Sequence, residues 1–224
     1  MSTLLSTHRG ANRNGGMVAL LVLSTALSLS SGTAWGQTVR GQAIAATVYA
    51  PATGSQTFAS AALPPAGGME QADTDLAAVT NTLGAAGLTS ITTGQIDSGL
   101  VSVTASAEAA DVNILNGLIA AKAVVALATS YANGTTATSE SDGSTLLDLV
   151  IAGTSYADGA PTPNARIELP GVGYVVLNEQ ISSGDGVHST TLTVNMIHVY
   201  LVDQLTGASV GDIVVGAATS TAML

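Results

Sequence analysis

The stretch DVNILNGLIAAKAVVALATSY, residues 111–131, decides the fold class. Its alanines would allow a helix, and its apolar length would suit a membrane span, but Lys122 in the middle argues against the membrane. Asn116-Gly117 is the strongest short hairpin signal, because both residues tolerate the positive φ angles of a type I′ turn. We therefore favour two strands here, with one helix as the alternative.

Similar strand-like runs lie on both sides of this segment. They consist of Val, Ile, Leu, Ala and Thr and are bounded by Gly, Pro, Asn or Asp, as strands usually are. The other predicted strands are residues 42–49, 96–107, 144–156, 165–169, 173–181, 190–203 and 210–217. Residues 51–68 and 133–143 are predicted loops. Residues 69–85 form the one predicted short helix, since Leu76, Val79 and Leu83 recur at roughly helical spacing.

The order of these elements predicts an all-β fold. Strands do not alternate with helices, so a parallel doubly wound sheet is not expected. Repeated short strands with turn signals favour a single β-sandwich with jelly-roll or Greek-key-like connections. A β-solenoid is the alternative, and the lack of a fixed period along the chain argues against it.

The first 36 residues have the pattern of a cleavable signal peptide. Arg9 and Arg13 precede the apolar run 17–29, and the small residues Ala34 and Gly36 precede a predicted cut before Gln37. A membrane anchor is the alternative, but a span needs about 20 apolar residues. We therefore expect a single secreted or cell-surface domain, residues 37–224, with no stable membrane insertion after cleavage.

Charge and cysteine content exclude several classes of partner. The predicted mature region has three basic residues against fifteen acidic ones, a formal net charge of −12. Nucleic-acid binding needs clustered Lys and Arg, so we expect no nucleic-acid partner. The chain contains no cysteine, and the domain must therefore be stabilised by burial and sheet hydrogen bonds. A cell-envelope component or a second copy of the chain stays open as a partner.

Four segments together resemble the bacterial choice-of-anchor P family of exported proteins. They are LNGLIAAKAVVALATS (115–130), APTPNARIELPGVGYVVLNEQ (160–180), LTVNMIHVYLVD (192–203) and GDIVVGAATS (211–220). The resemblance implies an exported domain of undefined activity. It also implies a cysteine after the Lys122 strand and another near the C-terminus, where this chain has residues 128–130 and 217–220 instead. We therefore expect those two segments to lie side by side.

Few polar residues stand out as candidates for chemistry. His198 alternates with Leu192, Val194 and Met196, and Glu179 alternates with apolar residues of its own strand, so both are predicted on apolar faces. A buried carboxylate needs a hydrogen bond or a proton, and an imidazole on the next strand is a natural partner. We expect a structural pair and group Asn178 and Asn195 with it as structural polar residues. Glu179 and His198 are also weak metal candidates.

No catalytic constellation follows from the sequence. Two histidines without cysteine are too few for a typical zinc site, and no G-x-S-x-G elbow occurs. His188, beside Asp185 and two glycines, is predicted to be a solvated turn residue. We expect no cofactor and a non-enzymatic structural or adhesive domain. The alternative is a secreted carbohydrate-binding module or hydrolase, which the clustering of three aromatic residues on one exposed face would favour.

Overall fold

The computed structural model describes residues 36–50 and 54–224, and every regular element in them is a β-strand. These residues include no helix of the length and apolarity that a membrane span needs. The predicted signal peptide lies, apart from Gly36, outside the described residues. The strands are β1 (Thr38–Ala50), β2 (Gly54–Ala62), β3 (Gly68–Val79), β4 (Leu83–Asp97), β5 (Leu100–Ile114), β6 (Ile119–Ala132), β7 (Ala137–Glu140), β8 (Thr145–Leu147), β9 (Val150–Ile151), β10 (Thr154–Ser155), β11 (Ala165–Leu169), β12 (Gly173–Gly184), β13 (Ser189–Val202) and β14 (Ser209–Met223).

The strands form two antiparallel sheets. Sheet I has the order β11-β12-β13-β14-β1-β2, and sheet II has the order β10-β9-β6-β5-β4-β3, with β7 and β8 also paired to β6. Strand β14 packs over β5 and β6, and β1 packs over β4 and β5. The predicted all-β sandwich is therefore confirmed. Most neighbouring strands are consecutive in the chain, and β14 returns to pair with β1.

The hairpin predicted at Asn116-Gly117 is present. Strand β5 ends at Ile114 and β6 begins at Ile119, and these two residues pair. The amide of Leu118 donates to the carbonyl of Leu115, with φ angles of 56° at Asn116 and 86° at Gly117. Both central residues have the positive φ of a type I′ turn, as the dipeptide predicted.

The predictions on the N-terminal side of this hairpin were less accurate. Strand β2 lies within the predicted loop 51–68, and the helix predicted at 69–85 is wrong, because this segment forms β3, a turn and the start of β4. Leu76 is 64% exposed and Leu83 is buried, so the apolar residues with helical spacing do not share one buried face. Strand β3 is an edge strand with few buried side chains, and a largely exposed strand lacks the alternation by which strands are recognised.

A row of bends crosses sheet I and reverses its inward and outward faces. The pairing registers skip one residue on each of β12, β13, β14, β1 and β2 at the same level. We call these five skipped residues the bend row: Asn178, Met196, Gly216, Ala45 and Ala59. Three of them have positive φ angles, 46° at Asn178, 70° at Gly216 and 46° at Ala59. In β13 the buried residues accordingly have even numbers before the bend, as at Leu192 and Val194, and odd numbers after it.

Sheet II contains a comparable bend. Asp111 in β5 has a φ angle of 48°, and Gly87 in β4 has one of 54°. The register between β5 and β6 skips Asp111 and Lys122, and these two exposed side chains form an ion pair. Buried positions change from odd to even numbers along β5 here as well. Along their long strands, both sheets therefore keep an apolar inner face only because the alternation of inward and outward side chains shifts by one residue at the bends.

The core between the sheets consists mainly of small and branched apolar side chains. Alanine supplies many of the fully buried positions on β1, β5, β6 and β14, which allows the two sheets to approach closely. One main cluster fills most of the interface, and a smaller second cluster around Val101, Val103 and Leu63 lies near the start of β1. Since the described residues contain no cysteine, burial and sheet hydrogen bonds must stabilise the domain.

Candidate functional site

The bend row places Glu179 and His198 on the outer face of sheet I, and the predicted apolar faces are wrong for both. Glu179 follows Asn178, the bend residue of β12, and pairs with Asn195 of β13. His198 follows the bend of β13 and lies between Val176 and Val214 on the neighbouring strands. Each side chain therefore points away from the core, although neighbouring groups leave only 13% of Glu179 and 12% of His198 exposed.

Glu179 accepts three hydrogen bonds. His198 Nδ1 lies 2.7 Å from Glu179 Oε2, and Asn195 Nδ2 donates to the same oxygen at 2.7 Å. The Tyr200 hydroxyl donates to Oε1 at 2.6 Å, and His198 Nε2 lies 3.3 Å from Asp212 Oδ2. We call these five residues the outer-face cluster. The contact between Glu179 and His198 that the sequence predicted is present, within a larger network.

The network changes the acidity of its members. Burial alone raises the pKa of Glu179, but the hydrogen bonds from His198, Tyr200 and Asn195 outweigh burial and hold this pKa below the ordinary glutamate value. Burial also raises the pKa of Tyr200, and its hydrogen bond to the Glu179 carboxylate raises it further. Glu179 is therefore an anion and Tyr200 a neutral donor at neutral pH, which is the combination that their hydrogen bond requires.

A stack of rings extends the cluster toward β11. The Arg166 guanidinium lies 3.7 Å from the ring centroid of Tyr174, and the centroids of Tyr174 and Tyr200 are 4.6 Å apart. The His198 ring stacks on Tyr200 with a centroid distance of 3.9 Å. These contacts cover ring faces of both tyrosines, and the stack stabilises the face of three neighbouring strands.

Comparisons with known proteins add no family. No family model matches the chain, and no curated protein matches it. Among solved structures, the crystal structure of Neisserial surface protein A matches over 84% of this chain and 97% of that chain, with 10% identical residues and a TM-score of 0.17. A TM-score this low carries no argument about fold or function.

The geometry of the outer-face cluster does not suit a metal or a nucleophile. Both Glu179 oxygens already accept donors, and the second carboxylate, Asp212, lies at the opposite ring nitrogen of His198. The acids therefore do not converge on one point. In the part of the chain that the structure describes, no group of three or more His, Asp or Glu side chains is placed to hold a metal ion. No serine or threonine hydroxyl bonds to His198 in this network.

The other candidate residues have local structural roles. The Asn178 side chain donates to the Pro161 carbonyl at 2.8 Å and accepts from Gln180 at 3.0 Å, which ties the bend of β12 to the preceding loop. His188 lies in a turn in which Asp185 Oδ1 accepts backbone amides, among them those of Val187 and His188. His188 is thus the exposed turn residue that the sequence predicted.

Sequence reasoning missed Asp212 as a member of the cluster, and Tyr174 and Arg166 as its neighbours. Tyr200 lies on the same strand face as His198, because both residues follow the bend of β13. The other three depend on the pairing register, in which Tyr200 lies opposite Tyr174 on one side and Asp212 on the other. A sequence without an alignment contains no signal for that register.

A second polar network joins the two sheets in the interior. Ser130 Oγ of sheet II lies 2.8 Å from Ser220 Oγ of sheet I, and both residues are fully buried. Ser139 bonds to Ser130 at 2.8 Å and to Thr190 at 2.7 Å, so four hydroxyls form a continuous chain. The segments 128–130 and 217–220 do lie side by side, across the interface between the sheets.

Proposed function

We propose that this protein is an exported, non-enzymatic β-sandwich domain with a structural or adhesive role at the cell surface. The observation that carries the proposal is the closed outer-face cluster. Its less exposed carboxylate, Glu179, already accepts hydrogen bonds from Asn195, His198 and Tyr200 through both of its oxygens, so it is engaged in contacts within the sheet. Such a network fixes the positions of three strands, which is the task of a scaffold.

Composition and sequence pattern support export. The signal-peptide pattern of residues 1–36 and the resemblance of residues 115–220 to the choice-of-anchor P family both belong to secreted proteins. The acidic surface suits a protein in bulk solvent and disfavours anionic lipid and nucleic acid. The family resemblance stays part of the proposal and assigns no activity.

A localisation experiment tests the proposal. The full chain, carrying a C-terminal tag, is produced in a bacterium, and the medium, surface and membrane fractions are analysed by intact mass spectrometry. The expected product begins at Gln37, or at pyroglutamate formed from it, and is accessible to protease on intact cells or in the medium. Recovery only from the membrane fraction with Met1 retained would contradict export.

A deletion experiment tests the non-enzymatic role. A strain that lacks the gene is complemented with the gene for the wild type or for Glu179→Gln. The attachment of the cells to a surface is then measured together with the amount of folded protein. We expect attachment to follow the amount of folded protein in both strains. A defect of Glu179→Gln at normal protein level would instead indicate chemistry at the cluster.

Carbohydrate binding is the second candidate, because three tyrosines share one row on the outer face of sheet I. Tyr174 pairs with Tyr200, Tyr200 with Asp212, and Asp212 with Tyr49, which is 45% exposed. The stacking of Tyr174 on Tyr200 leaves Tyr49 as the freest ring of the three. Binding of soluble polysaccharides that is lost in Tyr49→Ala, with stability unchanged, would support this function over the first.

A further inference from the structure

We infer that Asn116-Gly117, at the tip of the β5–β6 hairpin, is a site of spontaneous covalent modification at which Asn116 is deamidated. In this reaction the Gly117 amide nitrogen attacks the side-chain carbonyl carbon of Asn116 and forms a succinimide ring. The Gly117 amide proton and the side-chain NH₂ group leave together as ammonia. Water then opens the ring and leaves either aspartate or isoaspartate at position 116, so water is the only co-reactant. Glycine favours the attack, because it has no Cβ to shield its nitrogen.

The tip of this hairpin is weakly held. Asn116 and Gly117 are both exposed. One backbone hydrogen bond closes the turn, from the Leu118 amide to the Leu115 carbonyl, and its 3.3 Å is longer than a typical bond of this kind. Among the described residues, no group hydrogen-bonds to the Asn116 side chain or to the Gly117 amide. The local opening that brings the Asn116 side chain to the Gly117 nitrogen therefore breaks little structure.

Asn133-Gly134 is the same dipeptide in a loop that holds it closed. Asn133 Oδ1 accepts hydrogen bonds from the Thr135 and Thr136 amides, at 3.0 and 2.9 Å, and from both threonine hydroxyls. The Asn133 amide also donates to the Thr136 carbonyl at 3.1 Å. To reach the Gly134 nitrogen, the Asn133 side chain must give up its own bonds. We therefore expect Asn133 to react at least about tenfold more slowly than Asn116, which corresponds to a barrier higher by about 1.4 kcal/mol.

The Asp-Gly pairs of the described residues are poorer sites for the same attack. They begin at Asp142, Asp158 and Asp185, and a carboxylate anion is a weaker electrophile than a neutral amide. Backbone amides, that of Val187 foremost, donate to Asp185 and hold its pKa below the ordinary aspartate value, which keeps it an anion. Asn116 is therefore the most reactive of these sites.

The two products of the reaction have different effects on the fold. Aspartate at position 116 keeps the turn, because Asp-Gly also favours type I′. Isoaspartate continues the main chain through its side-chain carboxyl group and lengthens the turn by one methylene. Ile114 and Ile119 form the fully buried pair next to the turn, and their register depends on the length of the turn. The isoaspartyl protein should therefore be the less stable product.

The test compares the two Asn-Gly pairs within one sample. The full chain is kept in slightly alkaline buffer, which favours the attacking nitrogen, and is digested with trypsin at intervals. Cleavage after the basic residues places Asn116 in peptide 41–122 and Asn133 in peptide 123–166. Tandem mass spectrometry locates the change from amide to acid, and labelling by a protein isoaspartate methyltransferase detects isoaspartate. We expect the change at Asn116 first, with at most about a tenth as much at Asn133.

The same chain unfolded in urea is the control for protection by the fold. Since both pairs are Asn-Gly, they should react at similar rates in the unfolded chain. Equal rates at the two positions in the folded protein would overturn the inference, and so would a faster reaction at Asn133. The absence of reaction at Asn116 of the folded protein, over the time in which the unfolded chain reacts, would overturn it as well.

Two variants separate the chemistry from its effect on stability. Fresh Asn116→Asp has the charge of one product without the longer main chain and should unfold at about the wild-type urea concentration. Asn116→Gly keeps a turn of the same type and has no side chain to react. Aged wild type should contain an isoaspartyl fraction that unfolds at lower urea concentration, and aged Asn116→Gly should not. The same unstable fraction in aged Asn116→Gly would refute the assignment of this effect to Asn116.

Discussion

Ser130 and Ser220 are ninety residues apart in the chain and join the two sheets through a hydrogen bond of 2.8 Å between their hydroxyls. Ser130 also donates to the Ser220 carbonyl at 3.1 Å. Both side chains are fully buried, so each hydroxyl must find its partner inside the protein. The pair therefore marks a point at which the sheets are fixed to one another.

We expect this point to accept a disulfide. The double variant Ser130→Cys/Ser220→Cys should oxidise spontaneously, because side chains already in contact need little backbone movement to form the bond. Closing so long a loop should stabilise the oxidised protein by about 2–4 kcal/mol relative to its reduced form. The measurement is chemical unfolding with and without reductant, with thiol titration to count free cysteines.

Ser130→Cys/Thr219→Cys is the matched control for the disulfide. Thr219 is adjacent to Ser220 but bonds to Thr193, the residue opposite it on β13. Its side chain therefore points away from Ser130, and the control should keep two free thiols. Failure of the first pair to oxidise would mean that the two sheets are farther apart in solution than the hydroxyl contact indicates.

Substitutions of Glu179 test the structural role of the outer-face cluster. Glu179→Ala should destabilise the fold by roughly 1–3 kcal/mol, because His198, Asn195 and Tyr200 lose a shared acceptor. Glu179→Gln keeps one acceptor oxygen and should cost less. Urea unfolding at neutral pH measures both, and a loss in Glu179→Gln as large as in Glu179→Ala would show that the charge, rather than the acceptor, is what the network needs.

The acid response of the same variant has a defined sign. The pKa of Glu179 is lower in the folded protein than its ordinary value, so the folded state binds this proton more weakly than the unfolded state does. The stabilisation is therefore complete above the unfolded pKa and is lost as the pH falls through the folded pKa. The stability difference between wild type and Glu179→Gln should shrink on acidification, and a difference independent of pH would contradict the assignment.

The sequence predicted the sandwich but not the faces of its strands. Period-two alternation, hairpin dipeptides and the lack of helices were enough for an all-β fold. Neither the bend row nor the bend in sheet II was predictable, because Asn178, Ala59 and Asp111 have positive φ angles without being glycine and leave no pattern in a single sequence. Glu179 and His198 follow such bends, so extrapolating the alternation placed them on the wrong face while their mutual contact was still predicted.

The edge strand β3 shows a second limit of prediction from sequence, because here the type of element itself was wrong. Pattern recognition depends on burial, and only Ala77 of β3 is fully buried. An exposed strand with scattered apolar residues resembles a weak amphipathic helix, which is what was predicted. Tertiary pairing with β4 decides its structure, and that pairing is a property of the whole sheet rather than of residues 69–85.

Removing the hydroxyl of Thr92 should increase the stability of the fold. Among the described residues, its Oγ1 is the one buried side-chain polar atom without a hydrogen-bond partner. Thr92→Val keeps the shape and removes the desolvated hydroxyl, so we expect a gain of about 1–2 kcal/mol. Ser90→Ala, two residues away on the same face, removes the donor to the Ala59 carbonyl and should lose a similar amount. Equal signs for the two variants in thermal unfolding would contradict this explanation.

The substitution Gly216→Ala tests whether the bend row is needed for the fold. Its φ of 70° lies in the left-handed region, and a Cβ added there would stand 2.8 Å from Val124 Cγ1, on the facing sheet. Gly216→Ala therefore adds backbone strain to a steric clash in a close-packed core, and we expect a loss of roughly 2–4 kcal/mol. Gly84→Ala is the control, because Gly84 has no positive φ and nothing within 4 Å of the added Cβ; it should be neutral or slightly stabilising. If Gly216→Ala unfolds at the same urea concentration as the wild type, sheet I can straighten at the bend, and the outward placement of Glu179 and His198 would no longer follow from it.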